Sequence, residues 1–229
     1  MSIEGAIAAA YPQTPEDIAA ATERQVTIAA NLMQQDPSLP QMTAIIMAGD
    51  IVSAERATVM LLNGVDFDRA LAHVGSYSRL EWAAGAQEAG HTTRDHLLDL
   101  LPDLWRGSDP DDTDVRWLQL WNAAWLRNGR RTITDGKDIP SHSKVSGPGG
   151  RKYLRIFRGQ GADQRAGIAW TLDEGVARKF AGGAGVRVPG GVVKPVVYTA
   201  TVHARNVMAY LTQRGESEVI VNPAALRTS

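Results

Sequence analysis

The chain has 229 residues, of which 44% are hydrophobic and 21% charged, enough for one large or two small domains and unlike a disordered chain. It contains no cysteine, which excludes a disulfide scaffold, a thiolate zinc site and a cysteine nucleophile. The net charge of −1 conceals a division: residues 1–145 carry 12 Lys/Arg against 20 Asp/Glu, a balance of −8, and residues 146–229 carry 12 against 5, a balance of +7.

The first residues, MSIEGAIAAAYPQ, lack the basic and long apolar regions of a signal peptide, and no run of about 18 apolar residues occurs. The expectation is a cytoplasmic protein without a membrane span. From residue 14 to 36, Thr14 offers a cap, Pro15 stands at the first helical position, and Ile18, Ala21, Ile28, Ala29 and Leu32 recur on one helical face. Further helices are predicted at about 41–62, 66–86, 92–104 and 113–127, separated by DPSLP, NGVD, EAGH and RGSDPDD. Trp117, Trp121 and Trp125 fall on one stripe of the last helix and read as core.

Residues 129–150 are polar and rich in Gly, Pro and Ser, as in a linker or long loop. Strands follow at 153–158, 167–172, 192–202 and 218–221, with one helix at 173–181. The predicted fold class is therefore α+β: a helical region over 1–128, a linker over 129–150, and a small mixed or antiparallel sheet domain over 151–229.

The basic half attracts phosphate-bearing ligands, a nucleotide or a nucleic acid, although two oppositely charged faces could also simply pack together. Three features of it lie at strand ends: Arg158 in YLRIFRGQ, Thr171 in GIAWTLDEGVARKFA, and Glu216 with Glu218 in RGESEVIV. They suit cleavage of the nicotinamide glycosidic bond of NAD. An arginine such as Arg158 can neutralise a phosphate bidentately, and a hydroxyl such as Thr171 can hold a carboxylate. Glu218 can stabilise an oxocarbenium-like ribose by charge and hydrogen bonding. Glu216 would share its face if the strand has already begun, where it could orient or deprotonate the nucleophile.

Gly159 favours close backbone approach to a ligand. Trp170 is either packing or a nicotinamide platform, and Phe180 is either core or a cofactor contact under the glycine-rich stretch at 182–191. GPGG at 147–150 lacks the spacing of a phosphate loop. The five histidines form no metal-ligand spacing, so no metal is expected.

In order, a strand Arg, a strand with a hydroxyl residue, a helix, a loop and Glu-x-Glu before an apolar strand resemble the Arg–Ser–Glu group of ADP-ribosyltransferases. That group includes cholera-type and clostridial-type toxins and phage-encoded modifiers of host proteins, and the resemblance spans about residues 151–223. It implies that Arg158 holds the dinucleotide, that Glu218 is catalytic, and that Glu216 directs transfer to arginine. It also makes the loop at 209–215 a target-recognition turn, with Tyr210 as a substrate contact. The group's Ser-Thr-Ser signature stands here as Ala169-Trp170-Thr171, so Thr171 or another group must brace the catalytic carboxylate. The implied function is transfer of ADP-ribose from NAD to a target protein. A nucleic-acid acceptor and an inactive NAD- or protein-binding module are the alternatives.

Overall fold

A computed structural model describes residues 14–108, 111–146, 151–162, 167–183, 194–213 and 215–228. The fold is α+β, with a helical N-terminal region, and the chain divides into two compact units, Met1–Pro110 and Asp111–Ser229. The division falls before the last predicted helix of the first half rather than at 128.

In the first unit, α1 (Pro15–Gln35) begins with a capping box in which Thr14 and Asp17 satisfy each other's backbone nitrogens. It packs against α2 (Gln41–Leu62). The small side chains of Ala29, Ala44 and Ala48 allow that close approach. Of the expected apolar stripe of α1, Ala29 is buried while Ile18 points outward.

The helix predicted at 66–86 is two helices, α3 (Phe67–Leu71) and α4 (Arg79–Glu88). Side chains of α2 hold the break open. Ser53 accepts from the Gly75 nitrogen at 2.8 Å and Asp50 from the Tyr77 nitrogen at 2.7 Å, bonds that an uninterrupted helix would forgo. The next predicted helix is likewise α5 (Arg94–Asp99) and α6 (Leu101–Gly107), with Pro102 at the start of the second piece. Among the described residues no helix is long and apolar enough to cross a membrane.

The second unit opens with α7 (Val115–Arg127), capped by Asp114, whose carboxylate accepts from the Arg116 nitrogen at 2.8 Å. The Arg116 side chain folds back on the same carboxyl and holds it below the usual Asp range. Trp117 and Trp121 are buried as expected, and α7 packs on the sheet at β6.

The strands are β1 (Ile133–Thr134), β2 (Lys144–Ser146), β3 (Lys152–Gly161), β4 (Ala169–Thr171), β5 (Pro195–His203), β6 (Val207–Leu211), β7 (Glu218–Val221) and β8 (Arg227–Thr228). Their order is β1-β6-β7-β4-β3-β5-β8, with β2 also on β3. Among the described residues only the β1–β6 pairing is parallel. The segment expected to be a linker is thus stitched into the sheet by β1 and β2. Its GPGG stretch lies outside the described residues, as do 184–191 of the glycine-rich stretch and 192–193 of the predicted strand.

One sheet face carries Leu154, Ile156, Trp170, Ala200, Val202 and Val219, the centre of the core. The other carries Phe157, Gly159, Thr171, Glu218 and Ile220, by the alternation of the paired strands. The amphipathic helix α8 (Glu174–Ala181) lies on this second face, burying Ala177 and Ala181. A Cβ at residue 159 would sit 1.7 Å from the Ala177 carbonyl oxygen and 2.5 Å from the Ala181 nitrogen, so helix and strand meet backbone to backbone there. Gly159→Ala should therefore push α8 off the sheet and cost about 3 kcal/mol, read as a lowered urea midpoint.

Candidate functional site

β4 is three residues long and lies between β3 and β7. Phe157 pairs with Thr171, and Thr171 pairs with Glu218. Arg158, Thr171 and Glu218 therefore sit on three consecutive strands, near the ends where the loops begin. The strands' alternation separates them: Thr171 and Glu218 share the α8 face, whereas Arg158 belongs to the face of Trp170 and Val219.

Arg158 is already engaged. Its guanidinium meets both carboxylate oxygens of Asp112, through Nη1 to Oδ2 and through Nη2 to Oδ1 at 3.0 Å. Nη1 also donates to the Ala169 carbonyl at 2.6 Å, and Nε donates to Gln160. Both members of the ion pair are largely shielded, with side chains 16% and 15% exposed. Asp112 in turn accepts from the Ala169 nitrogen at 3.0 Å, and its own carbonyl accepts from the Ile168 nitrogen at 3.1 Å. The fork expected to hold a dinucleotide phosphate thus holds an internal carboxylate, which satisfies the same two-oxygen geometry.

Thr171 braces the glutamate pair through the backbone. Its hydroxyl donates to the Glu216 carbonyl oxygen and accepts from the Asp173 nitrogen at 3.1 Å. The Leu172 nitrogen donates to the Ser217 carbonyl at 3.1 Å. β7 begins only at Glu218, and Ser217 lies in the left-handed region at φ +46°, so Glu216 stands in the turn rather than on the strand face proposed for it. Both glutamates are half-buried.

The far end of this turn is gripped by Asp135. Its carboxylate accepts from the Thr212 and Gln213 nitrogens, the latter at 2.9 Å, and from the Thr212 hydroxyl at 3.1 Å.

Two expectations, for Tyr210 and Gly159, are corrected, and Trp170 takes the packing alternative. Tyr210 is not in a target-recognition turn: residues 207–211 form β6, and Tyr210 is 3% exposed, opposite Val219 in the core. The residues described between β6 and β7 are 212, 213 and 215–217. Trp170 is core, 4% exposed, with its indole nitrogen donating to the Gly167 carbonyl at 3.2 Å. Gly159 faces the backbone of α8. Phe180 is half-buried on that helix.

Sequence reasoning missed Asp112 and Asp135, which lie among acids that read as helix breakers or linker.

Comparison of the chain with protein-family models, with curated proteins and with solved structures gives no match.

The Asp112–Arg158 pair makes its own prediction. Asp112→Ala leaves a shielded guanidinium without its carboxylate and frees the head of β4, at a cost of about 3 kcal/mol. Arg158→Met in the Asp112→Ala background should recover part of that loss in a double-mutant cycle read by urea unfolding.

Proposed function

We propose that the chain is an NAD-dependent mono-ADP-ribosyltransferase that transfers ADP-ribose to an arginine of a target protein in the cytoplasm of its own or a host cell. The observation that carries this reading is the consecutive β3–β4–β7 order, with Glu218 heading β7 opposite Thr171 and next to a turn anchored at both ends.

On this reading the glycosidic bond between ribose and nicotinamide breaks, and its electron pair leaves with nicotinamide. Glu218 stabilises the positive charge that develops on the ribose. The acceptor nitrogen bonds to the same carbon and gives up its proton, with Glu216 as the base. Thr171 acts as a positioning residue: it fixes the Glu216 carbonyl and, through it, the entry to β7. Arg158 reaches a dinucleotide phosphate only by exchanging Asp112 for it.

That engagement of Arg158, together with Ala169 where the family signature has Ser, favours one second reading, a module of the same fold that binds NAD or a partner without turnover. The +7 balance of residues 146–229 is the ground for a nucleic-acid acceptor, but the Lys/Arg residues there are scattered rather than interleaved with aromatics.

Incubation of the full chain with labelled NAD and a cell lysate tests these readings. Glu218→Gln should keep the fold and NAD binding yet lose label transfer by at least ~100-fold, the scale of a removed transition-state interaction. Glu216→Ala should lose transfer to protein while retaining slow nicotinamide release. NAD affinity with no release of nicotinamide by the unaltered chain would identify the binding module, and label on nucleic acid the other acceptor.

A further inference from the structure

At the opposite end of β3 from Arg158, a cavity of about 270 Å³ opens between the start of that strand, the end of β5 and the two short turns at Ala204–Asn206 and Pro223–Ala225. Arg151, Arg205, His203, Asn206 and Tyr153 line it, and among the described residues that line it there is no carboxylate side chain. The five residue-to-residue steps from Tyr153 to Arg158 span about 17 Å of strand, so this cavity is separate from the Thr171–Glu218 region.

Its shape follows from the register. Tyr153 and His203 are a cross-strand pair whose rings meet edge-on at 5.1 Å. His203 caps the following turn, its Nδ1 accepting from the Arg205 nitrogen at 3.2 Å, so the neutral ring carries its proton on Nε2. The cap and the ring contact fix the imidazole, and the turn brings Arg205 and Asn206 to the cavity beside it.

Arg151 and Arg205 are both exposed, and neither guanidinium forms an ion pair with any described residue. Two like charges brought to one cavity repel each other unless an anion lies between them. This contrasts with Arg158 in the same unit, whose charge an internal aspartate already answers.

We infer that this cavity is a binding site for a small phosphomonoester. A phosphate carries close to two negative charges and three acceptor oxygens, which two guanidiniums and the amide of Asn206 can share. The volume lies just below the ~300–1,000 Å³ usual for ligand pockets, which suits a sugar phosphate or mononucleotide. The rings of Tyr153 and His203 give the organic part an aromatic wall. The inference stands apart from the transferase reading and uses none of its residues.

Calorimetric titration of the full chain with inorganic phosphate, ribose 5-phosphate and adenosine 5′-monophosphate tests it, with ribose and adenosine as uncharged counterparts. The phosphorylated probes should bind and the uncharged ones should not. Arg205→Ala and Arg151→Ala should each weaken binding by about tenfold or more, the loss expected for a charge-assisted hydrogen bond. Arg155→Ala, an exposed arginine on the same strand, should leave it unchanged. Equal affinity for all three phosphorylated probes supports a site for the phosphate alone, and a preference for the mononucleotide supports a site that also reads the ring. Binding that survives in the double Arg151→Ala/Arg205→Ala variant, binding of adenosine as tight as that of its phosphate, or no binding of any phosphorylated probe overturns the inference. Both arginines are exposed, so an unchanged melting curve separates a lost site from a lost fold.

Discussion

The carboxylate of Asp112 joins the segment leading into α7 to two strands at once. It takes both arms of the Arg158 guanidinium from β3 and the main-chain nitrogen of Ala169 from β4. Arg158 returns the connection by holding the Ala169 carbonyl. β4 has only three residues, too few for its ladder alone to define where it begins, and this charged cluster supplies the missing anchor. Everything downstream on the candidate site inherits its position from β4: Thr171 at its end, the turn bonded to Thr171 and Leu172, and Glu218 opposite. A shielded ion pair adds little net stability when both partners must be desolvated, but it fixes register well because either partner alone is so unfavourable.

The second organising contact is apolar and depends on an absence. Gly159 leaves room for α8 to lie with its Ala177 carbonyl against the strand, and the two small side chains Ala177 and Ala181 complete the close approach. The helix is thereby held over the face that carries Thr171 and Glu218. The glycine next to Arg158 thus serves helix packing, although in sequence it reads equally well as room for a ligand. The distinction between a neighbour that is a helix and one that is a cofactor belongs to tertiary structure, and no local pattern carries it.

The elements with strong periodicity or clear termini were legible. α1 with its Thr14 cap and Pro15, α7 with its tryptophan stripe, α8, and β7 fall within a residue or two of their predicted bounds. β6 was not, because all five of its residues are buried, and a strand covered on both faces shows no alternation. The expectation of a turn at Tyr210 rests on the family resemblance. β1 and β2 are two and three residues long inside a polar segment, and strands that short leave no compositional trace. At the site, the strand positions of Arg158, Thr171 and Glu218 were readable. Their partners were not: nothing local separates Asp112 from Asp111 and Asp114, and only the fold brings Asp135 across 77 residues to Thr212.

The outer strands of the sheet, β1 and β8, are only two residues long. A sheet edge recruits other chains through its row of unsatisfied main-chain groups, and the strength of that template grows with its length. With borders this brief, an incoming strand finds too few consecutive donors and acceptors at β1 or β8 to lay down a ladder. The long, β-rich segments β3 and β5 pair with each other along nearly their whole length, while β8 covers the outer side of β5 only at Ala200 and Thr201. Each of the two long strands thus hides one side of the other, and the outer side of β5 depends on the short β8 for its cover.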